Sequence, residues 1–206
     1  VTPAKLATTG RFTFPTGAAN GYGFASGAVH LSGTGSPEGV VTAEPGSTWL
    51  QTDATTDVKG WIRWVKASGT GNTGWVAGPE ADTGWREVPT TNTASGTLKI
   101  RRVGNTVILD FSVLELTAGS GSADLYAPPV GFRIARGMMG YLRRNFDQTK
   151  LQLIWWDPAS VSWQSESGSV AWTAVHPTGT PANGMTGQLV AATTEAWPTS
   201  LPGTAA

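Results

Sequence analysis

Residues 97–116 read TLKIRRVGNTVILDFSVLEL, two alternating arms joined by a Gly-Asn pair. Strand side chains point alternately to the two faces of a sheet, so every second residue of the second arm shares a face. One face carries Val107, Leu109, Phe111 and Val113, and the other carries Ile108, Asp110 and Ser112. A two-residue turn needs positive φ angles, which we expect Gly104 and Asn105 to supply. The stretch therefore predicts a half-buried antiparallel hairpin.

The rest of the chain repeats this organisation in shorter pieces. Runs rich in Thr, Val and Trp recur at intervals of about 8–12 residues between Gly and Pro, which is typical of sandwiches and barrels. No segment sustains an apolar stripe at helical spacing. We expect an all-β chain in which an extended, turn-rich β-hairpin or stalk module (residues 1–83) precedes an antiparallel, jelly-roll-like β-sandwich (residues 84–206). Residues 78–83 are the predicted linker.

Composition excludes several classes of function. Only 14% of the 206 residues are charged, and 14 basic residues balance 14 acidic ones. Nucleic-acid binding needs a basic excess, so no nucleic-acid partner is expected. The chain has no cysteine for disulfides or thiolate metal sites, and no apolar run approaches the ~20 residues of a membrane span. We predict no metal, no cofactor and no membrane insertion. Because the chain begins at Val1, we expect a processed protein or a fragment.

The first part of the chain carries four tryptophans, Trp49, Trp61, Trp64 and Trp75. A strand would place Trp61 and Trp64 on opposite faces. A two-stranded ribbon cannot bury both faces by itself, and burying one aromatic is worth roughly 1.5–3 kcal/mol. We therefore expect neighbouring subunits to cover these four side chains in a homo-oligomer, with a trimer as the expected state.

Four segments carry a resemblance to a known family. Residues 35–39 read GSPEG, residues 64–76 read WVKASGTGNTGWV, residues 128–133 read PPVGFR, and the last ten residues read WPTSLPGTAA. Together they resemble the minor tail and tail-fibre receptor-binding proteins of tailed bacteriophages, in particular those of actinobacteria. The resemblance implies a location in the virion, other phage structural proteins as partners, and no catalytic signature.

The second part of the chain carries the candidate ligand-binding residues. Trp155 and Trp156 are adjacent, so a strand points them to opposite faces and they cannot both enter one core. An exposed tryptophan offers a flat apolar face on which a sugar ring can stack. We predict non-covalent glycan binding by Trp155 or Trp156, with Arg143 or Arg144 as polar partner and Asp157 beside them.

Few residues of the sequence support a catalytic function. His30 and His176 are the only histidines, and neither lies beside a Gly-x-Ser-x-Gly nucleophile motif. Asp147, Asp157 and Glu166 lie in or beside the Trp-rich segment. Glycosidases use two carboxylates about 5–10 Å apart, which keeps a glycan-degrading tail enzyme as an alternative.

The expected function is a structural tail-fibre or tail-tip subunit, without enzymatic activity, that binds host cell-surface polysaccharide. A head fibre or a capsid decoration protein is the alternative location, because the sequence does not separate the two.

Overall fold

The computed structural model describes residues 20–23, 27–116, 123–144, 151–164 and 184–206. These residues form fourteen β-strands in two sheets, and no helix occurs among them. The predicted all-β class is therefore confirmed. The extended segments expected at residues 11–14 and 170–174 lie outside the described residues.

The N-terminal sheet has five short strands in the spatial order β1-β2-β3-β4-β5. They are β1 (Asn20–Gly23), β2 (Val29–Gly33), β3 (Thr48–Gln51), β4 (Ile62–Lys66) and β5 (Trp75–Ala77). The pairs are antiparallel except for β2 and β3, which run parallel. A parallel pair needs a crossover connection, which residues 34–47 provide. This part of the chain is thus a larger sheet than the hairpin expected from its sequence.

Four tryptophans form the centre of the N-terminal core. Trp49, Trp64 and Trp75 come from three neighbouring strands, and Trp197 reaches them from the C-terminal end of the chain. On β4 the buried and exposed residues alternate strictly, with Trp64 buried between exposed neighbours. The C-terminal segment therefore supplies cover that the first 83 residues lack.

The C-terminal sheet has nine strands in the spatial order β14-β6-β7-β8-β13-β10-β11-β12-β9. Their bounds are β6 (Arg86–Val88), β7 (Thr93–Val103), β8 (Thr106–Leu116), β9 (Ala123–Tyr126), β10 (Met138–Arg144), β11 (Leu151–Trp156), β12 (Val161–Gln164), β13 (Met185–Ala192) and β14 (Thr204–Ala205). All pairs are antiparallel.

Two overlapping Greek keys organise this sheet. Strand β13 returns to pair with β10 after the β10-β11-β12 meander, and β9 lies beside β12. One apolar cluster gathers buried side chains from strands β6 to β13. The sheet is also bent. The backbone N–H of Thr91, just before β7, donates to the carbonyl of Leu125 on the far-edge strand β9 at 2.9 Å, a contact that a flat sheet could not make. The architecture is sandwich-like, as predicted.

The predicted hairpin is confirmed, with two local differences. Val103 pairs with Thr106 across the turn, but Gly104 alone has a positive φ (53°), which suits a turn with glycine at its first central position. The predicted inward alternation holds through Phe111 and then fails. The pairing register of β7 with β8 shifts between Ser95 and Thr97, and Val113 turns outward with φ 52° while Leu114 is fully buried. A β-bulge produces this change of face.

The predicted linker, residues 78–83, is packed between the two sheets. Ala81 and Thr83 are buried. The Thr83 N–H donates to Arg102 O at 3.0 Å, and the Gly104 N–H donates to Ala81 O at 2.8 Å. The boundary between residues 83 and 84 falls between β5 and β6. Because these contacts and Trp197 cross it, the division into two separate modules stays a prediction.

Candidate functional site

The four tryptophans predicted as an oligomer interface belong mostly to the chain's own core. Trp49, Trp64 and Trp75 are buried within the single chain, at 1%, 4% and 5% exposure. Each indole N–H donates within the chain, to Gly35 O, Gln51 Oε1 and Val41 O respectively. The expectation that neighbours must cover them is wrong, because a five-stranded sheet and Trp197 cover them instead. Trp61 is half-buried, with the Lys59 ammonium 4.6 Å from its ring centre.

Two of the segments that carry the phage resemblance bind each other. Glu38 of the GSPEG segment accepts hydrogen bonds from the backbone N–H groups of Gly74 and Trp75, at 3.2 and 2.7 Å. Asn72 of the second segment donates its side-chain amide to Gly39 O at 2.7 Å. The ammonium of the buried Lys66 donates to Gly71 O at 2.8 Å and also to Thr73 O. These residues hold two turn-rich loops together at one end of the N-terminal sheet.

Trp155 and Trp156 point to opposite faces of β11, as their adjacency predicts. Trp156 is fully buried in the core of the C-terminal sheet. Its predicted role as a stacking platform is wrong, because no sugar ring can reach it. Trp155 is half-buried and stands on the outer face. Of the predicted pair, only Trp155 remains a candidate.

Trp155 belongs to a small apolar surface on the outside of the C-terminal sheet. It pairs directly with Met139 of β10, and Tyr141 follows two residues further along the same strand. Met139 and Tyr141 are each 58% exposed. Cross-strand partners share a face, so the three side chains form one surface, here called the β10–β11 face. Met139 and Tyr141 are two residues apart, so a strand places both on the face opposite to the buried Leu142. This spacing was the available signal in the sequence.

Arg143, Arg144 and Asp157 are the other residues that were predicted to contact the glycan. Arg143 and Arg144 lie in β10, where their backbones pair with Thr186 and Met185. The carboxylate of Asp157 accepts bonds from the N–H groups of Ala159 and Ser160, at 2.7 and 2.8 Å. Asp157 therefore stabilises the turn between β11 and β12. Asp147, Glu166 and His176 lie outside the described residues.

Arg102 is a structural centre that the sequence did not single out. It is 2% exposed, and its guanidinium donates to four backbone carbonyls, those of Gly104, Gly131, Glu195 and Ala196, at 2.6–2.8 Å. It also lies 5.2 Å from the ring centre of Trp197. Burial lowers the pKa of Arg102 to about 10. The available signal was a charged residue at an inward position of the alternation in β7.

An ion pair joins the hairpin to the connecting segment. Arg101 donates from Nε to Asp82 Oδ1 at 2.9 Å and from a terminal nitrogen to Oδ2. The hydrogen bond from Arg101 holds the pKa of the Asp82 carboxyl below its ordinary value. The Arg101 guanidinium also lies 5.7 Å from the ring centre of Trp85.

Within the described residues, no group of three or more His, Asp or Glu side chains is placed to hold a metal ion. The described ranges also contain no helix that is long and apolar enough to cross a membrane. No protein-family model, curated protein or solved structure matches the chain.

Proposed function

We propose that this chain is a structural, non-enzymatic subunit of a tailed-phage appendage, a tail fibre or tail tip, that binds host cell-surface polysaccharide through the β10–β11 face. The observation that carries the proposal is the in-register pairing of Trp155 with Met139, beside the exposed Tyr141. Two hydrogen-bonded strands hold these side chains in fixed positions. A rigid aromatic and apolar surface with a hydroxyl at its edge suits the faces of sugar rings.

The appendage part of the proposal is supported by the segments that resemble phage tail proteins. Two of them meet through Glu38 and Asn72, and the C-terminal one sends Trp197 into the same core. Three of the four segments of the resemblance thus contribute to one structural unit. A glycan-degrading alternative would draw on Asp157, whose carboxylate already stabilises a turn.

The proposal includes a homotrimer and attachment to other phage structural proteins. Several linked copies raise the apparent affinity of a weak site by roughly 10²–10⁴, which suits a shallow surface. The trimer interface no longer involves Trp49, Trp64 or Trp75, because the chain itself covers them. Light scattering on the purified chain tests the trimer, and a monomer at micromolar concentration would contradict it.

Antibody labelling of virions tests the location. Gold particles at the tail end are expected. Labelling on the capsid would instead favour the head fibre or decoration protein, which the same sequence resemblance allows.

Competition with virions tests the binding function. Pre-incubating actinobacterial host cells with the purified chain should reduce phage adsorption, because the chain would occupy the polysaccharide that the virion uses. Release of oligosaccharides from purified host cell wall during the incubation would contradict the non-enzymatic part of the proposal. Unchanged adsorption at saturating protein would contradict the binding part.

A further inference from the structure

An open cleft with a volume of about 710 Å³ lies between the N-terminal sheet and the β7–β8 hairpin. One wall is strand β5, through Val76 and Ala77, and the opposite wall is the outer side of the hairpin, through Val103 and Ile108. We call this feature the β5 cleft. None of the residues that line it is charged. It lies apart from the β10–β11 face, on different strands.

Strand β5 ends its sheet, and in the described structure its neighbour is β4. The Ala67 N–H donates to Gly74 O, and the Gly78 N–H donates to Arg63 O. Between these two bonded pairs, Val76 is the residue of β5 whose backbone groups face β4. In an antiparallel ladder such residues alternate with ones whose N–H and C=O point the other way. Trp75 and Ala77 are of this second kind, so their backbone groups face away from β4.

Part of this edge is already occupied. The Trp75 N–H donates to Glu38 Oε2 at 2.7 Å. The Ala77 N–H has no backbone partner among the described residues, and neither do the carbonyls of Trp75 and Ala77. The Ala77 N–H and C=O, which belong to the cleft lining, and the Trp75 C=O, the next group along the same edge, therefore lack a main-chain partner among the described residues.

The side chains around the cleft present apolar surface to the same space. Val76 is 42% exposed, and Ile108 pairs across the sheet with Val190, which is 54% exposed. The charges on Arg101 and Asp82 are joined to each other in an ion pair. A charged occupant would find no partner in the lining, whereas an uncharged one loses nothing on entering.

We propose that the β5 cleft binds an extended, uncharged peptide segment with small apolar side chains, which adds to β5 as a sixth strand of the N-terminal sheet. Main-chain hydrogen bonds to Trp75 and Ala77 give the affinity, and alternate side chains of the peptide lie against Val76 and Ile108. The hairpin forms the opposite wall, so the cleft admits a single strand rather than the edge of a second sheet.

The test uses the full chain and the blocked hexapeptide acetyl-Thr-Val-Thr-Val-Thr-Val-amide. Hydrogen–deuterium exchange of the Ala77 amide, followed by NMR, reports the new bond directly. We expect saturating peptide to slow this exchange by at least about tenfold, because the amide gains an acceptor. The same peptide with proline at its fourth position is the matched control, since it lacks one donor and should bind less.

Two variants locate the binding. Val76→Lys places a charge in the uncharged cleft and should weaken the peptide affinity by about tenfold or more, whereas Val130→Lys, exposed and outside the cleft, should change it by less than about twofold. Ala77→Pro removes the open donor without removing a bond to β4, so it should stay folded and lose the peptide.

Three results would overturn the proposal. The first is an Ala77 exchange rate that the peptide leaves unchanged in the folded protein. The second is equal weakening by Val76→Lys and Val130→Lys, which would mean non-specific binding. The third is protection of Ala77 that rises with protein concentration in the absence of peptide, which would assign the cleft to a second copy of the chain.

Discussion

Arg102 lies where the hairpin turn, the bend at residues 128–131 and the C-terminal segment meet. Replacing it by Met would remove the donor from four carbonyls in a nearly water-free position. Such a loss costs about 3–5 kcal/mol of unfolding free energy. Urea unfolding of Arg102→Met measures it, with Lys99→Met on the outer face as a control that should stay within about 0.5 kcal/mol. A loss below about 1 kcal/mol for Arg102→Met would contradict this role.

The Asp82–Arg101 pair makes stability depend on acid. The pKa of Asp82 is lower in the folded chain than in the unfolded one, so its contribution is present above the unfolded pKa, near 3.8, and disappears as pH falls through the folded value. Asp82→Asn should therefore be less stable than the wild type at about pH 7 and should approach it near about pH 2. Chemical unfolding of both proteins across this range measures the difference. A difference that stays constant with pH would show that the charge of Asp82 is not involved.

At the scale of elements, alternation in the sequence predicted β7, β8 and their turn, because period-two patterning is a direct consequence of strand geometry. It did not predict the bulge that exposes Val113, since a bulge depends on the pairing register rather than on one strand's pattern. It also missed the parallel pair β2–β3, which depends on how the 34–47 connection folds.

The bulge places Val113 in an unfavourable backbone conformation. It is a β-branched residue with φ 52° and is 42% exposed. Asn adopts this left-handed region more readily, so Val113→Asn should raise the unfolding free energy by about 1 kcal/mol. Val190→Asn, also exposed but without a positive φ, should give no gain. Thermal unfolding compares the two, and destabilisation by Val113→Asn would show that the bulge is not strained.

The candidate site was partly predictable for the same geometric reason. Adjacency correctly separated Trp155 from Trp156, but it could not say which one faces the core. That choice depends on the register of β11 against β10 and β12, which sets Trp156 opposite Met138 and the buried Val161. The interface prediction failed for Trp49, Trp64 and Trp75 because part of their cover, Trp197, comes from more than a hundred residues away.

For the whole molecule, the C-terminal segment joins the two sheets. Trp197 is 6% exposed in the N-terminal core, and its indole N–H donates to Thr56 Oγ1 at 3.0 Å. Trp197→Ala should cost about 3–5 kcal/mol, because it leaves a large cavity and an unpaired Thr56 hydroxyl. Deleting residues 204–206, which are exposed, should cost far less. Denaturant unfolding of both variants measures this, and equal stabilities would contradict the joining role.

The central functional claim is that the β10–β11 face binds host polysaccharide, and the affinity of Trp155→Ala for purified host cell-wall polysaccharide tests it most directly. Loss of one stacked aromatic should cost about 1–3 kcal/mol, or roughly 5- to 150-fold in Kd. Trp85→Ala is the matched control, because Trp85 is also half-buried but lies beside the Arg101 guanidinium, away from the β10–β11 face, and this variant should bind as the wild type does. Wild-type affinity in a folded Trp155→Ala would contradict the claim.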